Sequence, residues 1–120
     1  MTVFANVLVG IVAVLHVGFM VLEMVLWKTP RGRAVFGTSR EEAEAMASLA
    51  ANQGLYNGFI VAGLVWGLIA TDPVAFQFKL AFLIFALVAG LFGAATVSKR
   101  ILLVQATPAL LALSAVIAAH

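Results

Sequence analysis

The chain contains no cysteine, which excludes a disulfide framework, a thiolate nucleophile and any Cys-ligated metal site. Charge is scarce too. Asp, Glu, Lys and Arg together make up 10% of the residues, against about 25% in ordinary soluble domains. The formal net charge of +2 comes from a few scattered Lys and Arg, too few to form a nucleic-acid-binding face. The N-terminus has no basic start of the signal-peptide kind, and its apolar run outlasts an h-region, so the first hydrophobic segment is expected to be retained. No internal repeat and no low-complexity tract interrupts the pattern.

What the chain has in abundance is hydrocarbon: 64% of its 120 residues are hydrophobic. A soluble domain of this size buries only about two-thirds of its unfolded-chain surface, so much of that apolar area would face water. Lipid as the solvent removes the conflict. The expected class is therefore an all-α integral membrane protein, one domain built as a four-transmembrane-helix bundle with the lipid bilayer as its first partner.

A helix crosses the hydrocarbon layer with about 20 mostly apolar residues. Four stretches qualify, at 3–27, 47–70, 74–97 and 101–119. The first is interrupted only by Asn6, His16 and Glu23. The second is polar at its start and wholly apolar from Phe59, and the third is unbroken from Leu80 to Ala95. The fourth carries Gln105, Thr107, Pro108 and Ser114. Thr71-Asp72-Pro73 and Ser98-Lys99-Arg100 are joints so short that the helices they connect must run antiparallel, because backbone groups in lipid need helical partners. Thr107-Pro108 is expected to kink or loosen the fourth helix near Gln105.

The connection at 28–46 is amphipathic. Thr29-Pro30-Arg31-Gly32 ends the first helix, since proline biases its predecessor away from helical angles. Both Thr38…Glu41 and Ser39…Glu42 fit a capping box, and Glu41, Glu42 and Glu44 suit the positive end of a helix dipole. The next helix is thus expected to begin near Arg40, outside the lipid. Of seven Lys and Arg, only Lys79 falls on the side opposite the first and third connections. This bias puts those connections in the cytoplasm of an inner-membrane protein and both termini outside. Trp27 and Trp66 suit the interfacial belts.

Depth, at 1.5 Å per residue, places Glu23 roughly 6 Å and His16 roughly 16 Å inside the inner boundary, two turns apart on one helix face. Asn52, Gln53, Tyr56 and Asn57 cover an arc of about 140° on the second span. With entrance near Ala47, Asn52 comes level with Glu23 and Asn57 nearly level with His16. Gln105 falls at the same shallow level, and the outer half holds almost nothing comparable. Gly54 with Gly58, and Gly63 with Gly67, read as small-xxx-small helix packing.

Two runs, LEMVLWKTPRGRAVFG (Leu22 to Gly37) and LAANQGLYNGFIVAGLVWG (Leu49 to Gly67), with His16 upstream, resemble the family catalogued as domain of unknown function thirteen-oh-four. These are small bacterial and fungal membrane proteins, some of which go under the label epimerase. His16, Glu23, Met24, Trp27, Thr29, Pro30, Arg31 and Gly32 match the family's pattern, as do Asn52, Gln53, Gly54, Tyr56, Asn57 and Gly58. The resemblance implies four membrane helices and little about activity.

The leading functional expectation is acid–base, isomerase- or epimerase-like chemistry on a small or amphipathic substrate entering from the inner leaflet. Glu23 and His16 would carry the proton steps, and the third catalytic residue, Tyr56, would orient the substrate or stabilise an oxyanion. Asn52, Gln53, Asn57, Gln105 and Arg31 would bind the substrate. Proton movement alone suits a chain with no recognisable cofactor motif, so no cofactor or metal is assigned. The alternatives are a proton-coupled small-molecule transporter, whose lone first-helix carboxyl would exchange protons, and a haem- or metal-binding subunit that borrows a second His16 from a homo-oligomer. A purely structural subunit is the remaining reading.

Overall fold

A computed structural model describes all 120 residues. It is all-α, with helices at Thr2–Met24 (α1), Pro30–Phe36 (α2), Arg40–Ile69 (α3), Val74–Thr96 (α4) and Thr107–Ala119 (α5). A π-helical turn, Leu102–Ala106, leads directly into α5. Three helices are long and apolar enough to cross a membrane: α1, α4 and the π turn together with α5. The second stretch forms a 30-residue helix, but Asn52, Gln53 and Asn57 interrupt its apolar run, so α3 does not join the three on composition.

The local chemistry explains the boundaries. Val25 and Leu26 both donate their backbone N–H to the Val21 carbonyl, at 2.9 and 3.0 Å, which closes α1 before the Trp27 expected from sequence. Thr29 then serves two helices. Its hydroxyl donates to the Leu26 carbonyl at 2.6 Å and accepts from the Gly32 N–H at 3.2 Å. Thr-Pro-Arg-Gly is therefore a start signal as well as a stop, with Thr29 as N-cap and Pro30 in the first turn, a position where its missing N–H costs nothing. A Cβ at Gly32 would collide with the Leu26 carbonyl oxygen, so only glycine lets the turn close this tightly. α2 ends at Gly37 in the left-handed region, φ 67°, where glycine carries no steric penalty.

Of the two capping boxes, Ser39…Glu42 forms. The Ser39 N–H donates to Glu42 Oε1 at 2.9 Å, and the Glu42 N–H donates to Ser39 Oγ at 3.1 Å. The π turn sits where Pro108 is expected to disturb the last helix. Proline removes one backbone donor and crowds the carbonyl four residues back. Thr107 answers by bonding Leu102 O five residues back, through its backbone N–H and through its hydroxyl at 2.8 Å.

The chain forms two compact units. One comprises Met1–Leu15 and Ile60–His120. Its core is Val9 and Val12 of α1, Leu64 of α3, Leu83 of α4, and Ala112 and Val116 of α5. α5 runs against α4, and the buried residues along this contact are mostly small: Ala86, Gly90, Ala109 and Ala112. A Cβ at Gly90 would stand 2.8 Å from the Ala106 backbone nitrogen, so the π turn and α4 meet backbone to backbone. The other unit, His16–Phe59, holds the end of α1, all of α2 and the first two-thirds of α3.

Candidate functional site

Within the His16–Phe59 unit, α3 turns a small-residue face to the end of α1. A Cβ on Gly54 would run into Met24 and stand 3.2 Å from the Met20 carbonyl oxygen, and one on Gly58 would meet the Met20 sulfur at 3.0 Å. Small residues four apart let two helices approach closely. The approach brings Asn57, one turn on from Gly54, onto Glu23: its amide Nδ2 donates to Glu23 Oε1 at 2.5 Å. Both side chains are partly buried. No Lys or Arg lies within ion-pair distance of Glu23, since the one such pair, Lys28 with Glu44 at 3.8 Å, is on the exposed connection. A neutral amide thus orients the carboxyl without fixing its charge.

His16 is fully buried, at 0% exposure. Its ring meets Phe19 edge-on, with centroids 5.2 Å apart. The α2 end of the unit is tied by the Trp27 indole, which donates to the Ala43 carbonyl at 2.9 Å and stacks obliquely on Phe36 at 4.8 Å.

The remaining candidates separate. Asn52, Gln53 and Tyr56 are exposed on α3, with Tyr56 ring-to-ring against Phe59 at 6.0 Å. The arc expected to face α1 as a whole therefore meets it only at its edge, through Asn57. The depth register also differs, because Asn57 rather than Asn52 comes level with Glu23. Counting depth along the sequence treats Trp27 and Ala47 as matching boundaries, yet α1 stops at Met24 and the chain beyond it turns. Arg31 is exposed in the first turn of α2. Gln105 lies in the other unit, half-buried in the π turn. Side chains of His, Asp and Glu do not gather in threes as a metal site would need.

The model of a family described as "Protein of unknown function (DUF1304)" matches residues 10–117. The chain belongs to the DUF1304 family. A relative named "Uncharacterized protein YpaA", from Lactococcus lactis subsp. lactis, is 32% identical over 115 residues, covering 94% of this chain and 96% of its own. No solved structure matches. In this DUF1304 chain the Glu23–Asn57 pair, His16 and the whole of α2 fall inside the matched residues.

Sequence reasoning missed a second polar contact in the family member, in the unit that holds α4. Lys79 Nζ donates to Asn6 Oδ1 at 2.9 Å. The signal was present: an amide near the start of one apolar run and a lysine near the start of another are both costly in hydrocarbon unless they meet.

Proposed function

We propose that the protein crosses the inner membrane four times, with α3 as the fourth span. In this reading Glu23 is the acid–base group of an isomerase-like reaction on a small or amphipathic substrate reaching it from the cytoplasmic leaflet. Both termini lie outside. The observation that carries the reading is the Asn57–Glu23 hydrogen bond, which joins residues 34 apart in sequence. A carboxyl held by a neutral donor and unpaired with Lys or Arg keeps the freedom to take up and release a proton, which general acid–base catalysis demands. A tethering role would be served as well by an ion pair.

The other assignments follow from this centre. His16, two turns deeper on the same helix, is the second proton-transfer group, and Tyr56, next to Asn57 on α3, orients the substrate or stabilises an oxyanion. The spacing of His16 from Glu23, about 10 Å along α1, assigns it to the far end of an extended substrate. Asn52 and Gln53, exposed beside Asn57 on α3, offer hydrogen bonds to a molecule arriving sideways from lipid. Arg31 meets its acidic or polar head at the membrane surface. The topology is supported by the concentration of Lys28, Arg31, Arg33, Arg40, Lys99 and Arg100 in two connections.

Proton abstraction and return from water leave an isotopic mark on whichever compound reacts. Purified protein in lipid nanodiscs is incubated in D2O with a cell lipid extract and, separately, with a small-molecule extract. Mass spectrometry then seeks compounds that gain one deuterium. The expected result is a labelled compound with wild type and none with Glu23→Gln, which keeps the acceptor for Asn57 but cannot cycle a proton. If wild type and Glu23→Gln label the same compounds to the same extent, the reading is wrong. Because the chain has no cysteine, single-cysteine variants in α2 test the topology directly through labelling from one side of sealed vesicles.

A further inference from the structure

The unit built from Met1–Leu15 and Ile60–His120 contains a cavity of about 60 Å³ that the reading above does not use. Its lining includes Asn6 of α1, Asp72 before α4, and Phe76 and Lys79 of α4. His120 closes one wall by stacking on Phe76, ring centroids 3.8 Å apart and nearly parallel. The volume is several times the roughly 10–15 Å³ that one water requires, so a group of a few heavy atoms fits and a whole substrate does not.

Lys79 is the active feature of this cavity. It is partly buried, and its aliphatic stem lies over Gly67 of α3, where a Cβ would come within 2.7 Å of Lys79 Cγ. Gly67 thus makes the groove in which the stem rests, and the Asn6 carbonyl oxygen holds the ammonium at its end. An ammonium has three donors, and the hydrogen bond to Asn6 engages one. No carboxylate lies within ion-pair distance of it. Asp72, the one acidic side chain in the lining, caps α4 instead: its Oδ1 accepts the Phe76 N–H at 3.3 Å. Lysine in an apolar segment is expensive, and cations so placed mark pathways or ligand sites. Here three helices converge to place a cation, with donors to spare, at the head of an open cavity.

We infer that Lys79 and Asn6 form a second binding site, for a singly charged acidic group. The Asp72 carboxylate in the same lining repels a doubly charged anion about twice as strongly as a singly charged one, which favours the single charge. Lys79 stands five residues into α4, about 8 Å along the axis, a depth from which a lysine side chain snorkels to the headgroup level. A phosphodiester of an outer-leaflet lipid and the carboxylate of a small free molecule share this chemistry.

The experiment measures the melting temperature of the full chain in a neutral detergent during two titrations, one with short-chain phosphatidylglycerol and one with sodium acetate. Diacylglycerol and sodium chloride serve as the matched controls. A ligand that binds only the folded state raises the melting temperature in a saturable way. The expected result is such a rise in one arm, with phosphatidylglycerol indicating lipid and acetate a free acid. Lys79→Arg keeps the rise, and Lys79→Gln and Lys79→Met each weaken the midpoint at least tenfold. The two neutral variants preserve different parts of the site, the hydrogen bond to Asn6 and the stem over Gly67, so whichever folds supplies the reading. Equal midpoints in wild type and a neutral variant would overturn the inference, as would a rise in neither arm.

Discussion

Residues 1–15 and 60–120 are held together chiefly by shape, and residues 16–59 by hydrogen bonds placed at a few points. In the first region the fully buried side chains are Val, Leu and Ala, and α4 approaches the π turn closely enough to need Gly90. In the second, the contacts that decide the geometry are Thr29 on both Leu26 and Gly32, Trp27 on Ala43, Ser39 with Glu42, and Asn57 on Glu23. In lipid, helices gain little from hiding apolar surface, since acyl chains are as apolar as leucine. Close packing and hydrogen bonds are the means that remain: the first unit leans on packing, and the second adds point hydrogen bonds to the close approach at Gly54 and Gly58. The contrast bears on stability and on the proposed chemistry. A region fixed by shape tolerates few changes in size, whereas a region fixed by point contacts leaves polar groups available for chemistry.

The sharpest way to break this contrast is to damage the packed unit. Leu83 is fully buried among residues from every helix of its unit, and Leu83→Ala is expected to cost about 2–5 kcal/mol, the range for large-to-small core changes. Thermal unfolding in nanodiscs reads the loss directly. A cost below about 1 kcal/mol would mean that lipid or a second copy fills the space, and that shape is not what holds this unit.

The opposite change, from small to large, comes next. Gly90→Val places atoms against the Ala106 backbone, which cannot swing away as a side chain would, and overpacking of this kind costs about 1–3 kcal/mol. A Cβ added at Gly10 would meet nothing within 4 Å, so Gly10→Val is the matched control and leaves the melting temperature nearly unchanged. Equal effects at the two glycines would refute the close approach of α4 to the π turn.

In the hydrogen-bonded unit the same measurements should give smaller numbers. Asn57→Ala removes one interhelical hydrogen bond, a contribution that averages about 0.6 kcal/mol in membrane proteins. The melting temperature therefore shifts little, while the solvent-deuterium labelling proposed for Glu23 falls sharply because the carboxyl loses its orientation. A large stability loss with labelling intact would make Asn57 structural and separate the pair from any chemistry.

The outline of the fold was legible wherever one kind of signal dominated. Long apolar runs located α1, α4 and α5, and Pro108 announced the disturbed turn at Gln105. The start of α3 at Arg40 was legible because capping chemistry is local and needs only four residues. Contacts between helices were harder to read. Nothing local tells Asn57 from Asn52 as the partner of Glu23, because the choice depends on how far α1 extends past Met24 and on which face the Gly54–Gly58 pair presents. α2 was missed for a related reason: Thr29-Pro30 both closes one helix and opens another, and the closing role hid the opening one. The Asn6–Lys79 contact joins residues 73 apart, and a search for clusters along single helices does not pair them.

The last and smallest effect concerns the capping box, where the two means of support can be separated by pH. Glu42 has its carboxyl held below its ordinary value of 4.5, first by the Ser39 backbone N–H and then by the Ser39 hydroxyl. Both hydrogen bonds favour the ionised form. A group whose value is depressed on folding adds stability that is fully present above its unfolded value and is lost as pH falls through the folded one. The first turn of α3 should therefore lose amide protection as pH falls below about 4.5, once exchange rates are corrected for intrinsic acid dependence. Glutamine serves the same role in a capping box, so Glu42→Gln should show a flat profile over that window. The part of the packed α4–α5 contact around Ala86, Gly90 and Ala109, which contains no titrating group, should be flat in both proteins. Equal acid sensitivity in wild type and Glu42→Gln would assign the fraying to another carboxylate, such as Glu41 or Glu44, and would place the anchoring of α3 outside the box.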